Sequence, residues 1–221
     1  MARPPRVVLP ETCYHFLNRG NRQSTIFHED RDYEAFLGLM REAHERVPMP
    51  VIAGCLMPNH LHLVLRPNTQ TDLRQWAHWL FTKHASRFHA KYATNGHVWQ
   101  GRYKAIPIQQ DEHLLTVMRY VERNALRSRL VASPEAWRWG SSNWRLSNHP
   151  PIALAEPPVP LPANWLSFVR EPQSIVELSE VRKCIAKRQP FGDSQWTMQT
   201  TAAAGWKANP VGRPRRSKTG N

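Results

Sequence analysis

In residues 60–66, HLHLVLR, leucine alternates with histidine or valine at a period of two, the repeat of an extended strand. Leu61, Leu63 and Leu65 must share one face, so some layer has to cover them, while His60 and His62 share the other. A strand of this kind cannot stand alone. VIAGCLM, residues 51–57, precedes it across Pro58 and Asn59, a turn composition, and the two segments read as paired strands.

The remaining elements follow from the same reading. Residues 12–18 (TCYHFLN) are rich in β-forming types and predict a first strand, which NRGNRQ interrupts. Tyr33, Phe36, Leu37, Met40, Ala43 and Val47 recur at helical spacing until Pro48 and Pro50 end the run. A second helix is expected over about 72–92, with Gly96 beyond its end. A strand in KAIPIQ then leads into a helix that Asp111 can cap. Strand, helix, strand, strand, helix, strand and a further helix make an α+β fold, the ferredoxin-like split βαβ sandwich. One helical layer is expected on one sheet face, leaving the other open for a site.

This domain is expected to occupy residues 1–146. Residues 147–163, with prolines at 150, 151, 157, 158, 160 and 162, read as a stiff linker. Ile175, Leu178, Val181 and Ile185 suggest a helical C-terminal extension over 164–200, and 201–221 reads as a disordered basic tail.

A net charge of +13 asks for a polyanionic partner, and nucleic acid is the leading candidate. From Arg66 to Lys104 seven cations face a single acid, Asp72, with Trp76, Trp79, Phe81, Phe88 and Trp99 interleaved. Aromatic rings among cations suit unpaired bases, although their helical spacing equally suits a core. No apolar run is long enough to span a membrane, and the opening MARPPRVVLP lacks the apolar stretch of an export signal. Three scattered cysteines, none spaced as CxxC, argue against structural zinc and a disulfide framework. A reducing cytoplasm, in association with the nucleoid, is the expected location.

The chemistry-bearing residues leave two readings open when taken singly. His60 and His62 are able to ligate one metal ion or merely to line a polar sheet face. Around TVMRYVERNALRS, Leu114, Met118, Val121 and Ala125 form one stripe that is expected to bury against the sheet. Tyr120 and Asn124, four residues apart, sit a quarter turn from it. A boundary tyrosine with a wet hydroxyl is the plainer reading of that position.

NRGNRQSTIF, MPNHLHLVL, VWQGRYKAIPI and YVERNALRS occur in that order, and together they resemble the single-tyrosine HUH transposases, in particular their REP-associated branch. The resemblance spans about residues 12–145, and RKCIAKRQPFGDSQW with GRPRR resembles that branch's C-terminal extension. It implies the HUH endonuclease fold with an additional tyrosine-bearing helix. It also implies Tyr120 as nucleophile, His60 and His62 with Asn124 as ligands of Mg2+ or Mn2+, and DNA cleavage and joining through a 5′-phosphotyrosine. The substrate would be single-stranded or hairpin DNA of repetitive palindromes, and the active form a monomer or a homodimer. One departure stands out: the family's Asn-Pro-Val-Arg is here Asn124, Ala125, Leu126, Arg127, and loss of the proline is expected to lengthen the helix. DNA contacts are expected from Arg19, Arg22, Arg102, Lys104, Arg119, Arg123 and Arg127, and from Arg213, Arg215 and Arg216 in an AT-hook-like tail. A catalytically silent DNA-binding regulator on the same fold is the alternative. A metal-dependent hydrolase with a structural Tyr120 would leave the charge unexplained.

Overall fold

The computed structural model describes residues 7–206. Strands β1 (Cys13–Arg19), β2 (Val51–Met57), β3 (His60–Leu65) and β4 (Lys104–Ile108) form one antiparallel sheet in the order β2-β3-β1-β4. Helix α1 (Asp30–Arg46) links β1 to β2, and α2 (Asp72–Tyr92) links β3 to β4. This is the α+β architecture expected, with β1 and β3 central. Pro107 lacks an N–H and so suits β4, an edge strand. Phe191 covers that edge by donating its N–H to the Pro107 carbonyl at 2.9 Å and accepting from Gln109 at 2.9 Å.

Alternation along the strands sorts two cores. Leu61, Leu63 and Leu65 are fully buried with Tyr14 and Phe16 against α1 and α2. Burying one such leucine is worth about 1.5–3 kcal/mol, so this face supplies much of the cohesion. Trp76, as helical spacing suggested, belongs to the same core, and Trp99 joins it from outside the helix.

The opposite face is not left open as expected. Helix α3 (Glu112–Glu122) lies across it, burying Leu114, Val117, Met118 and Val121 against Ile52, Ala53, Cys55 and Val64. Asp111 caps α3 by accepting the His113 N–H at 2.9 Å. A hydrophobic stripe on a helix that follows the last strand has to be buried somewhere, and this face is the surface still available. Nor does the missing proline extend the regular helix. α3 stops at Glu122, and a separate turn, α4 (Asn124–Arg127), continues after Arg123 with the Arg127 N–H bonded to the Arg123 carbonyl at 2.8 Å.

Past α5 (Ser141–Trp144) the proline-rich stretch 147–163 contains neither helix nor strand, and it lies against the domain. Ile152 is buried, and the Ala155 N–H reaches the Val51 carbonyl at 2.8 Å. Helices α6 (Trp165–Arg170), α7 (Ile175–Lys187) and α8 (Ser194–Ala203) follow. A capping box between Ser174 and Glu177 starts α7, and buried Val181 seats it. Glu122, whose side chain is wholly buried, knits these parts together. It accepts from Ser141 Oγ, Ser142 Oγ, Trp165 Nε1 and Arg145 Nε at 2.7–3.1 Å. No described helix is long and apolar enough to cross a membrane.

Candidate active site

Where α3 and α7 stand over β1 and β3 they leave an open cavity of about 720 Å³. His60, His62, Tyr120 and Asn124 all line it, from a single chain. The sheet supplies the histidines because β3 alternates, and α3 with its following turn supplies the tyrosine and the asparagine one turn apart. The Tyr120 ring stands edge-on to that of His62, with centroids 5.9 Å apart, and the His60 and His62 rings lie 5.1 Å apart. Tyr120 is only 7% exposed, so its ring is a packed part of the core rather than a boundary side chain.

A third histidine, on β1, completes the group. His15 is 1% exposed, its ring 5.8 Å from that of Tyr120, and its Nε2 lies 2.8 Å from His62 Nδ1. The sequence carried a signal for it, since His15 alternates with Tyr14 and Phe16 in TCYHFLN. That signal has meaning only once β1 is known to pair with β3. Burial, and then the Arg127 charge, lowers the His15 pKa to about 3. Burial followed by Arg19 and Arg127 lowers His60 to about 4. His62 is pushed well below the ordinary range by burial, then by its histidine neighbours and the same arginines. All three rings are therefore neutral near pH 7, the form in which imidazole ligates metals.

The donors present fit a divalent ion. His60 directs Nδ1 to Asn59 Oδ1 at 2.6 Å, and His62 directs Nδ1 to His15, so Nε2 is the nitrogen each has left to offer. Asn124 Oδ1 accepts from Arg127 Nη2 at 3.0 Å and keeps its second lone pair, while its buried Nδ2 has no partner. Two imidazoles favour transition ions such as Zn2+, whereas the amide oxygen and any phosphate oxygens suit Mg2+ or Mn2+. Among the described residues, the group of His, Cys, Asp and Glu side chains close enough to share an ion is Asp111, Glu112 and His113. It is the N-terminal cap of α3, away from this cavity.

The cations expected around the site divide into three sets. Arg19, Arg102, Lys104 and Arg127 line the cavity, and the Arg127 guanidinium carbon lies 4.2 Å from the Tyr120 ring centroid. Burial and the charges of Arg188 and Arg19 lower the pKa of Lys104. Arg22 lines a neighbouring cavity instead, with His28 and Tyr92. Arg119 and Arg123 correct their expected role. Buried at 5% and 9%, they donate to the carbonyls of Glu171 and Pro172 and of Val169 and Arg170, respectively. Adjacency to Tyr120 in sequence does not set the direction a helical side chain takes, since each residue turns by ~100°. They anchor the extension to α3. Arg213, Arg215 and Arg216 lie outside the described residues. Two cations unanticipated from sequence, Arg182 and Arg188 of the α7 region, complete the cavity wall, and no local pattern announces them.

The profile of the IS200-like transposases matches residues 9–124, which include His60, His62, Tyr120 and Asn124. Among solved structures, the REP-associated tyrosine transposase bound to a REP hairpin overlays with a TM-score of 0.54 at 14% identity, over 71% of this chain and 93% of its own. A transposase structure from Deinococcus radiodurans R1 overlays with a TM-score of 0.39 at 17% identity, over 55% of this chain and 97% of its own. No curated protein matches the sequence.

Proposed function

The chain belongs to the IS200-like transposase family, and on that premise we propose that it cuts and rejoins single-stranded or hairpin DNA with Tyr120 as the nucleophile. The observation that carries this reading is the Tyr120 ring held edge-on to His62, in a cavity that Arg19, Arg102, Lys104 and Arg127 also line. A strand of DNA brought there meets cations able to neutralise its phosphates.

The Tyr120 oxygen attacks the phosphorus, and the bond from phosphorus to the 3′ oxygen breaks. The products are a 5′-phosphotyrosine and a free 3′-hydroxyl. Arg127, lying against the Tyr120 ring, adds a positive charge beside the phosphate that Tyr120 attacks. His60, His62 and Asn124 would hold Mg2+ or Mn2+, which when bound polarises the scissile phosphate. An aryl oxide leaves more readily than an alkoxide, so a 3′-hydroxyl is able to reverse the reaction without ATP. That balance suits strand joining better than hydrolysis.

We assign residues 1–146 to catalysis and 164–200 to an extension that supplies the Arg182 and Arg188 side of the cavity. The residue set also bears on the silent-regulator alternative, since a decayed enzyme has no need to keep His60, His62, Tyr120 and Asn124 together. A hairpin oligonucleotide labelled at its 3′ end, incubated with the protein and Mn2+ and run on a denaturing gel, tests the proposal. A labelled band at the protein's mass is expected, lost with EDTA and lost in Tyr120→Phe. An adduct that persists in Tyr120→Phe overturns the nucleophile. A hairpin that shifts on a native gel but never becomes attached favours the regulator.

A further inference from the structure

His15 lies outside the residues that the reaction above uses, yet it is among the most deeply buried polar groups on the site face. Its surroundings define what it is able to do. On the central strand β1 its ring lies 5.0 Å from that of His62 and 5.8 Å from that of Tyr120, and its Nε2 points at His62 Nδ1. With exposures of 1% and 6%, neither ring has ready access to water to satisfy that pair of nitrogens. One nitrogen must donate and the other accept.

We propose that His15 is a positioning residue: its Nε2 accepts the Nδ1–H of His62 and so holds His62 in the tautomer whose Nε2 lone pair is available to a metal ion. The inference rests on the metal reading of His60, His62 and Asn124 given above. A neutral imidazole carries one N–H. In the opposite arrangement His15 donates, His62 carries its proton on Nε2, and the ligand nitrogen is blocked. His15 is not itself a further ligand through Nε2, because that atom is already consumed. The nitrogen that His62 would offer an ion, Nε2, is the one that its Nδ1 contact with His15 leaves free.

The parallel arrangement at His60 supports this assignment. Its Nδ1 meets Asn59 Oδ1 at 2.6 Å, and Asn59 Nδ2 donates to the Gln23 carbonyl at 3.0 Å, which orients the amide. An amide oxygen only accepts, so His60 carries its proton on Nδ1. Gln23 has the left-handed φ of 64° that brings its carbonyl round to Asn59, in a turn where a Cβ on Gly20 would come within 2.2 Å of the Ser24 carbonyl oxygen. Each histidine of the pair thus has its own anchor, one in the β1 turn and the β2–β3 turn, the other in β1 itself. The anchors differ in kind. That of His60 is fixed by an amide, and that of His62 by another histidine, which must carry its own proton on Nδ1.

Long-range proton–nitrogen NMR spectra of the metal-free protein read the tautomers directly. His62 and His60 are expected as Nδ1–H and His15 as Nδ1–H, with bare Nε2 on all three. Mn2+ titration followed by electron paramagnetic resonance then compares His15→Phe, which removes the acceptor at similar volume, with His15→Gln, whose amide oxygen is able to accept in its place. The phenylalanine variant is expected to weaken Mn2+ binding by roughly 10–100-fold, and the glutamine variant to recover most of it. Hairpin binding in EDTA should stay at the parental level in both. A parent spectrum with His62 as Nε2–H overturns the proposal, and needs no variant to fold. So does full Mn2+ affinity in a folded His15→Phe. A parent that shows the expected tautomers but binds no Mn2+ overturns the metal reading itself, and with it the purpose assigned to His15.

Discussion

On one face of the sheet, Leu61, Leu63 and Leu65 meet Tyr14, Phe16 and the helices α1 and α2, every one of these five side chains 1% exposed or less. At the alternate positions of the same two strands, His15 and His62 meet Tyr120 from α3, and His60 stands beside His62. The first face consists of groups that ask nothing of their neighbours except contact. Polar groups on the second need partners wherever water is excluded, and they find them in one another, in Asn59 and at the cavity. A period of two lets a single strand serve cohesion on one side and chemistry on the other. The helix laid over the second face therefore both buries a stripe and leaves a gap.

The comparison breaks most sharply if the faces are damaged one at a time. His62→Ala is expected to lower the rate of covalent adduct formation by roughly 10³-fold, the scale of removing a principal charge-stabilising element. Quantified gel time courses measure it. Leu63→Ala, one residue along and on the other face, should cost about 2–5 kcal/mol in urea unfolding while leaving the adduct rate per folded molecule unchanged. Equal stability losses in the two variants would erase the distinction.

A buried histidine on each face sharpens it further. His84 of α2 is 4% exposed among Phe27, Phe36 and Trp99, and its Nδ1 has no partner. Burial lowers its pKa to about 4, against an opposing pull from Asp32 and a lesser push from Arg87. As pH falls from about 6.5, the unfolded chain takes up the proton before the folded one does. Stability on this account is intact above pH ~6.5, declines towards pH 4 by on the order of 3 kcal/mol, and levels off below. Urea midpoints against pH should show that slope, and His84→Phe should flatten part of it.

The smallest expected effect concerns the cations. Arg182→Ala should reduce the slope of log affinity for hairpin DNA against log salt by about 1. Arg123→Ala should leave the slope unchanged and lower stability instead, because its guanidinium is committed to the carbonyls of Val169 and Arg170. Identical salt slopes for the two variants would remove Arg182 from the DNA side.

Local pattern was enough for a large part of this. Periodicity, β-forming composition and turn residues together located all four strands and the three long helices of the domain, the order of those elements implied the split βαβ sheet, and Asp111 marked the start of α3. Alternation put His60 and His62 on one face, and the helical period put Asn124 one turn beyond Tyr120. Those are short-range facts, set by the backbone geometry of a single element. What lay beyond them depended on which elements meet. The stripe on α3 was expected to bury against the sheet and does so, but the pattern did not say that it would close over the face expected to stay open for the site. Arg119, Arg123 and Arg127 look equivalent in sequence, yet only Arg127 lines the cavity with Tyr120. The other two turn to the 169–172 backbone, which lies 46 to 53 residues away along the chain. His15 was visible as an alternating residue and gained its meaning only from β1 lying beside β3, 47 residues apart at the His15–His62 contact. The sequence by itself determined the elements and the faces they present, since backbone geometry repeats over a few residues. Tertiary structure decided which polar groups share a dry space, because burial and partnership are properties of pairs that the chain brings together only by folding.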